Sequence, residues 1–397
     1  MRDSALNNIR VIDLTRVISG PHCTMILGDL GAEIIKIEKP GTGDISREYS
    51  PFYQGHSTYF MTHNRNKKSI TLNFRHPDAL DIIYRLISDA DILVENFKAG
   101  TLEKMGLAPE KLLEMNPRLI ITRISGFGQD GPYSSLPCFD AVAQSLTGLM
   151  DMTGFPDAPP VMMGSYVCDF SAGLYGVIGT LAALHSREQT GKGQVVDVSL
   201  LDCACSLTHS AIMNYFMLNE VTTRNGNQDR AAWPASFYPT KDHKLIYIHA
   251  GQDPAFAAFC HISGNESYAE DPEYMHLNGR KNHIRVCDQL VSEWTCNHTL
   301  NEIMSMCREN NIPCAPVNTV KEMVSDPQLL HRNMICDMYD NNLGTIKTTG
   351  PVLKMSETPP KIQYSAPEIG EHNYEIYHDR LGYSEQELAM LKATGVI

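Results

Sequence analysis

The stretch of this chain best equipped for chemistry is Gly164-Ser165-Tyr166-Val167-Cys168-Asp169-Phe170-Ser171-Ala172-Gly173. It sets one carboxylate between small residues and the start of a long apolar helical pattern. The pattern continues over 174–185, with Gly176 and Gly179 keeping one face thin. Asp169 has two readings here. As a helix cap it would accept backbone N–H bonds at the positive end of the dipole, so its pKa is expected to fall and the group to stay ionised. As an exposed carboxylate it would be a nucleophile for covalent catalysis. The local residues leave both open.

Other constellations exclude more than they offer. The chain has 11 cysteines, its closest pair is Cys203 and Cys205, and no C-x-x-C occurs. Zinc ribbons and redox motifs are unsupported, and reduced, mostly buried thiols are expected. The histidines show no H-E-x-x-H or comparable ligand spacing, so no metal is expected. Gly126-Phe127-Gly128-Gln129-Asp130-Gly131 follows a strand pattern and fits G-x-G-x-x-G. A dinucleotide-binding turn must open a helix, however, and the residues from Pro132 to Pro137 postpone any helix to about Asp140. A Gly-rich active-site turn is the better reading.

The elements that must position Asp169 alternate regularly. Residues 9–14 read as a buried strand, 22–30 as a helix and 32–38 as a strand, which makes a βαβ unit. Strands over 69–74, 92–97, 119–124 and 194–199 are expected between helices over 77–90, 109–116 and 140–153. The expected fold is α/β: a Rossmann-like large domain with a parallel sheet and ligands at the carboxyl ends of its strands. One long helix over 200–218 leads to a polar break at 224–229. A smaller α+β domain follows, with a strand over 244–249, helices over 254–262, 283–294 and 300–310, and a strand near 315–317. Strands over 344–347 and 351–355 and helices over 372–381 and 385–393 close the chain. The expected domains are 1–222 (large, first part), 223–325 (small) and 326–397 (return linker and last part of the large domain). Two domains also suit 397 residues, beyond the roughly 250–300 that one core usually holds.

Composition narrows the partners. A net charge of −13 argues against a nucleic-acid or anionic-membrane surface, though not against a small anionic ligand held by a few local cations. No unbroken apolar run reaches the ~18–20 residues of a membrane span, and the polar start Met1 to Asn8 does not read as a signal peptide. The expected location is cytoplasmic.

Read in order, the chain carries Val11-Ile12-Asp13-Leu14-Thr15-Arg16-Val17 with Gly20-Pro21, then Leu30-Gly31-Ala32-Glu33-Ile34-Ile35-Lys36-Ile37-Glu38 and Asn66-Lys67-Lys68-Ser69-Ile70. Val94-Glu95-Asn96-Phe97, Asn116-Pro117-Arg118-Leu119-Ile120 and Ser125-Gly126-Phe127-Gly128 follow. After Asp169 come Thr190-Gly191-Lys192-Gly193-Gln194, Asp197-Val198-Ser199-Leu200-Leu201-Asp202 and Ile312-Pro313 with Pro316-Val317-Asn318. Each motif is short; together, in this order, they resemble the class III CoA-transferases, the group that includes formyl-CoA and carnitine CoA-transferases.

The resemblance implies that Asp169 is the nucleophile, that coenzyme A esters are substrates with no tightly bound cofactor, and that a small carboxylic acid is the other partner. By motif position it implies CoA contacts from Val17 and Ile18, from Lys39, and from Leu72, Asn73, Phe74 and Arg75. Asn96, Phe97 and Lys98, with Lys104 and Met105, complete the set. It also implies an interlocked homodimer. The small residues around Asp169 would let a thioester approach, and nearby backbone N–H groups could stabilise an oxyanion.

Some positions depart from the family pattern. Lys104 stands where Arg is frequent, giving a point charge in place of a bidentate fork. Ala231-Ala232-Trp233-Pro234-Ala235-Ser236 occupies the region where the formyl-CoA enzymes carry a glycine run, and Pro137 and Phe139 replace their Lys and Tyr. An α-methylacyl-CoA racemase is the nearest rival reading. It needs two acid/base groups, and Cys138-Phe139-Asp140 lacks the histidine those enzymes carry there. A non-catalytic CoA-binding protein is the alternative of another class.

Overall fold

The structure is a computed structural model describing residues 4–397. Continuous apolar runs become the central strands, as burial on both faces of a parallel sheet requires. The N-terminal part runs β1 (Arg10–Asp13), α1 (Ser19–Asp29), β2 (Glu33–Glu38), a short hairpin of β3 (Phe52–Tyr53) and β4 (His56–Ser57), α2 (Thr58–His63) and β5 (Lys67–Thr71). It continues through α3 (Ala79–Ser88), β6 (Ile92–Glu95), α4 (Thr101–Lys104), α5 (Pro109–Met115) and β7 (Ile120–Ser125). Then come α6 (Asp140–Leu146), α7 (Val167–Thr190), β8 (Val195–Ser199), α8 (Leu200–Ser206) and α9 (His209–Leu218). Six of these strands form one sheet in the order β5-β2-β1-β6-β7-β8, all parallel. The Rossmann-like α/β expectation holds.

The sheet has a core on each face. Ile12, Ile35 and Leu93 join the α3 stripe of Ile82, Ile83, Leu86 and Ile87. Val11, Ile34, Val94 and Ile124 join α1 and α7 through Cys23, Leu27, Ala172 and Val177. Side chains alternate across the strands, so one strand feeds both cores. A Cβ on Gly173 would stand 2.9 Å from the Ser19 carbonyl oxygen, and one on Gly176 would stand 2.9 Å from Ile124. The thin face of α7 lets it lie directly against α1 and β7. By length and composition α7 could cross a membrane, which the sequence pattern did not suggest; here Cys168, Ala172, Gly173, Gly176 and Val177 are buried.

Contacts divide the chain into two compact units, the first comprising residues 4–150, 162–220 and 327–397. The second comprises 151–161 and 221–326. It holds β9 (Ala235–Pro239), β10 (Leu245–His249), α10 (Asp253–Ser263), α11 (Glu266–Glu270), α12 (Leu277–Arg280), α13 (Ile284–Cys296), α14 (Leu300–Glu309), β11 (Cys314–Pro316) and α15 (Val320–Met323). Its three strands pair antiparallel, and its own core includes Phe256, Phe259, Val291, Trp294 and Ile303. The first unit is completed by α16 (Pro327–His331), β12 (Ile335–Asp340), β13 (Gly344–Thr349), a π-type turn at Tyr374–Arg380 and α17 (Glu385–Ala393).

Several elements differ from the sequence reading. The helix expected over 200–218 is two helices, because the chain turns at Leu207 and Thr208. The helix expected over 140–153 stops at Leu146, while α7 is longer at both ends than its apolar pattern. β13 pairs with Ile335–Asp340, and 351–355 is not a strand. β9 was not anticipated.

Candidate active site

Asp169 lies in the first turn of α7 without capping it. The capping carboxylate is Asp140, whose Oδ2 accepts the backbone N–H of Cys168 at 2.7 Å and of Asp169 at 3.1 Å. Asp140 Oδ1 accepts from Gln144, and Gln144 Oε1 accepts the Met163 N–H at 3.1 Å. α6 thus fixes both the start of α7 and the loop before it. With its backbone held by another side chain, the Asp169 carboxyl is free to face a cavity.

The expectation of a depressed Asp169 pKa is overturned. Burial raises it, the Asp140 charge raises it further and the Ser19 hydroxyl pulls it back, for a net value of about 7. Two forces therefore beat the helix dipole. Phe170 carries the apolar surroundings onward, edge-on to His22 at 5.0 Å and tilted on His63 at 5.7 Å. Burial lowers these imidazoles to about 4 and about 3, so both are neutral near pH 7.

Asp169 lines a cavity of about 300 Å³ with Val17, Ile18, Ser19, Asn96, Cys138 and Phe139 among its neighbours. A second cavity, of about 430 Å³, is lined by Lys39, by Leu72, Asn73, Phe74 and Arg75, and by Phe97 and Met105. Arg16 and Ile45 line both. These residues follow the ends of β1, β2, β5 and β6, so the carboxyl edge of the sheet forms one continuous cleft. The larger cavity suits a nucleotide thioester, with apolar walls from Leu72, Phe74, Phe97 and Met105 and exposed cations from Lys39 and Arg75. Lys98 and Lys104 are exposed and line neither cavity.

Beneath the cleft lies a buried charge cage. Lys36 Nζ donates to the Thr15 carbonyl at 2.8 Å and to Asp44 Oδ2 at 2.9 Å. Lys67 Nζ donates to the Pro21 carbonyl at 3.0 Å and Asn64 Oδ1 at 2.9 Å, and lies 3.1 Å from Asp13 Oδ2. Asp13 also accepts the N–H and hydroxyl of Thr15 and the hydroxyl of Thr24. The two ammonium groups thus hold the carbonyls on either side of the turn from β1 to α1. In that turn Val17 has φ 71°, a left-handed conformation that is costly for a β-branched residue and persists only when its surroundings over-determine it. Asn96 brackets the residue before it, accepting from Arg16 N at 2.8 Å and donating to Arg16 O at 2.7 Å.

Sequence reasoning missed Arg16, Ser19, Asp44 and the capping role of Asp140. A buried lysine in Ile35-Lys36-Ile37 was the available signal for the cage, since a charge inside a central strand needs a partner. The Gly126–Gly131 segment is a turn with Gly128 and Gly131 at positive φ, and no helix follows before α6.

Comparison with known proteins agrees with this architecture. Residues 6–373 match the CoA-transferase family III. The succinyl-CoA–D-citramalate CoA-transferase of Chloroflexus aurantiacus is 38% identical over 393 residues, covering 99% of this chain and 98% of that one. The formyl-CoA:oxalate CoA-transferase of Streptomyces avermitilis is 34% identical over 410 residues, covering 99% of each. The crystal structure of a CAIB/BAIF family protein from Brucella suis superposes with a TM-score of 0.84 at 32% identity, covering 95% of this chain and 100% of that chain. A match this complete, over a parallel sheet whose carboxyl edge opens onto Asp169, places the chain in CoA-transferase family III, as an enzyme that exchanges CoA between acyl-CoA and acids.

Proposed function

We propose that this enzyme moves CoA from an acyl-CoA to a carboxylic acid by covalent relay through Asp169. The carboxylate attacks the thioester carbonyl, the C–S bond breaks and the electron pair leaves on the CoA sulfur. An acyl-aspartyl anhydride results. The thiolate then attacks the aspartyl carbonyl and releases the first acid, leaving an aspartyl-CoA thioester. The second carboxylate displaces the thiolate to form a new anhydride. The thiolate attacks its acyl carbonyl, releasing the product acyl-CoA and the free Asp169 carboxylate. Splitting one slow exchange into easier steps is the general gain of such a relay. The observation that carries the reading is a single carboxyl in the 300 Å³ cavity, joined through Arg16 and Ile45 to the larger cavity. Incubation with succinyl-CoA and then hydroxylamine is expected to convert the Asp169 side chain to a hydroxamate, detected by peptide mass spectrometry. An unmodified Asp169 would count against the covalent relay.

The larger cavity is the proposed CoA site. Lys39 takes a phosphate there, and Lys39→Ala is expected to raise the KM for acyl-CoA about fivefold with kcat little changed, the pattern of lost uniform binding. An unchanged KM removes Lys39 from the site. The acid is proposed to be a short dicarboxylate. The two relatives are named for citramalate and oxalate, both dicarboxylic acids, and Arg16 is the cation among the residues lining the Asp169 cavity. A screen of acids against succinyl-CoA tests this choice separately from the mechanism.

Two copies are proposed to assemble. No residue of α9 is buried, and its Met213, Tyr215, Phe216, Met217 and Leu218 are all exposed, an apolar surface of the kind that a partner covers.

A further inference from the structure

We propose that Ser19 is a positioning residue for the nucleophile, its hydroxyl donating to one carboxylate oxygen of Asp169 while the other oxygen attacks the thioester. The inference rests on the reading of Asp169 as nucleophile. Ser19 is the first residue of α1, 5% exposed, and lines the same cavity as Asp169. Its backbone is held from below, since the Val17 turn is fixed by Asp44, which accepts the Val17 N–H at 3.3 Å, and by Asn96 on either side of Arg16. It is also held from the side, where Gly173, one turn beyond Asp169, leaves no room between α7 and the Ser19 carbonyl. Asn96 Nδ2 lies 3.5 Å from Ser19 Oγ, a donor to the hydroxyl oxygen that leaves the hydroxyl proton for an acceptor elsewhere. Asp169 is the carboxylate lining the same cavity as this hydroxyl, and the hydroxyl is the group that counters the rise caused by burial and by Asp140.

A hydrogen bond to an ionised acceptor is stronger than one between neutral groups, so the hydroxyl favours the ionised, nucleophilic form. During attack the new C–O bond forms, the C–S bond breaks and the electron pair leaves on sulfur; Ser19 keeps its proton throughout. The other titratable and charged groups around Asp169 are Asp140 on α6, Cys138 before it, Cys168 on α7, Tyr59 on α2, and Tyr49 and Arg16 at the cavity wall. His22 and His63 stand behind Phe170. Burial pushes the thiols of Cys138 and Cys168 up to about 11 and about 12 and raises Tyr59, and it takes the two histidines below 5.

The test is the rate of hydroxylamine-trapped labelling of Asp169 by succinyl-CoA, measured from pH 5.5 to 9 in the wild type, Ser19→Ala and Ser19→Thr. Ser19→Ala is expected to move the midpoint up by about one pH unit, making labelling about tenfold slower at pH 6 and within about threefold of wild type at pH 9. The succinyl-CoA concentration at half-saturation stays unchanged, and Ser19→Thr, which keeps the hydroxyl, retains the wild-type midpoint. A superimposable profile for Ser19→Ala, or an equal loss at every pH, overturns the role of Ser19. Wild-type protein that takes no label at Asp169 overturns the underlying nucleophile reading instead, so the two failures are distinguishable.

Discussion

Asp169→Ala is expected to abolish CoA exchange, with kcat falling on the order of 10⁴-fold or more while acyl-CoA binding, measured by calorimetry, stays within a few-fold of wild type. A variant that keeps even a tenth of the activity would exclude the covalent route. The isosteric Asp169→Asn should be equally inactive yet more stable, and the pH at which this shows follows from the sign of the shift. In the unfolded chain an aspartate loses its proton near pH 4, whereas in the fold Asp169 holds it to about pH 7. Between these values the folded state binds more protons than the unfolded state, so the contribution of Asp169 to stability declines as pH rises and levels off above 7. The Asn variant escapes that decline. Its Tm should equal that of the wild type near pH 4 and exceed it at pH 8. Equal Tm values at pH 8 would show that the carboxyl is not held against ionisation.

The second large effect is on the fold. Lys36→Met should remove about 3–5 kcal/mol of stability, because it leaves Asp44 and Asp13 as buried carboxylates short of a countercharge. Chemical denaturation measures the loss, and a change under about 1 kcal/mol would mean that the cage relaxes around the missing ammonium. Burying five charged side chains, Asp13, Lys36, Glu38, Asp44 and Lys67, is a poor way to gain stability. It is a good way to hold carbonyls and N–H groups in a turn that contains a left-handed valine.

The sheet was legible because strands covered on both faces are continuous apolar runs, as in Val11-Ile12 and Ile120-Ile121, and chain-wide motif order singled out Asp169. The protonation of Asp169 was not legible. It depends on burial and on Asp140, 29 residues earlier, which reaches Asp169 only once α6 packs beside α7. Ser19 and Asn96 lie 77 residues apart and meet because β1 and β6 are neighbours in the sheet. The sequence distance hides what the topology joins. β12 escaped notice because Ile335-Cys336-Asp337-Met338-Tyr339-Asp340 mixes charge into its alternation, and α9 read as the tail of α8 because both are rich in apolar residues and neither Gly nor Pro separates them.

That last helix bears on how the molecule forms. An isolated helix of ten residues is marginal in water, and α9 gains no buried face from its own chain. A second copy covering α9, as proposed above, would bring that order with it and make the final step of folding bimolecular. Ordering of that segment is then expected to speed up with protein concentration, while formation of the parallel sheet is expected to be independent of it, a difference that refolding at two concentrations would measure.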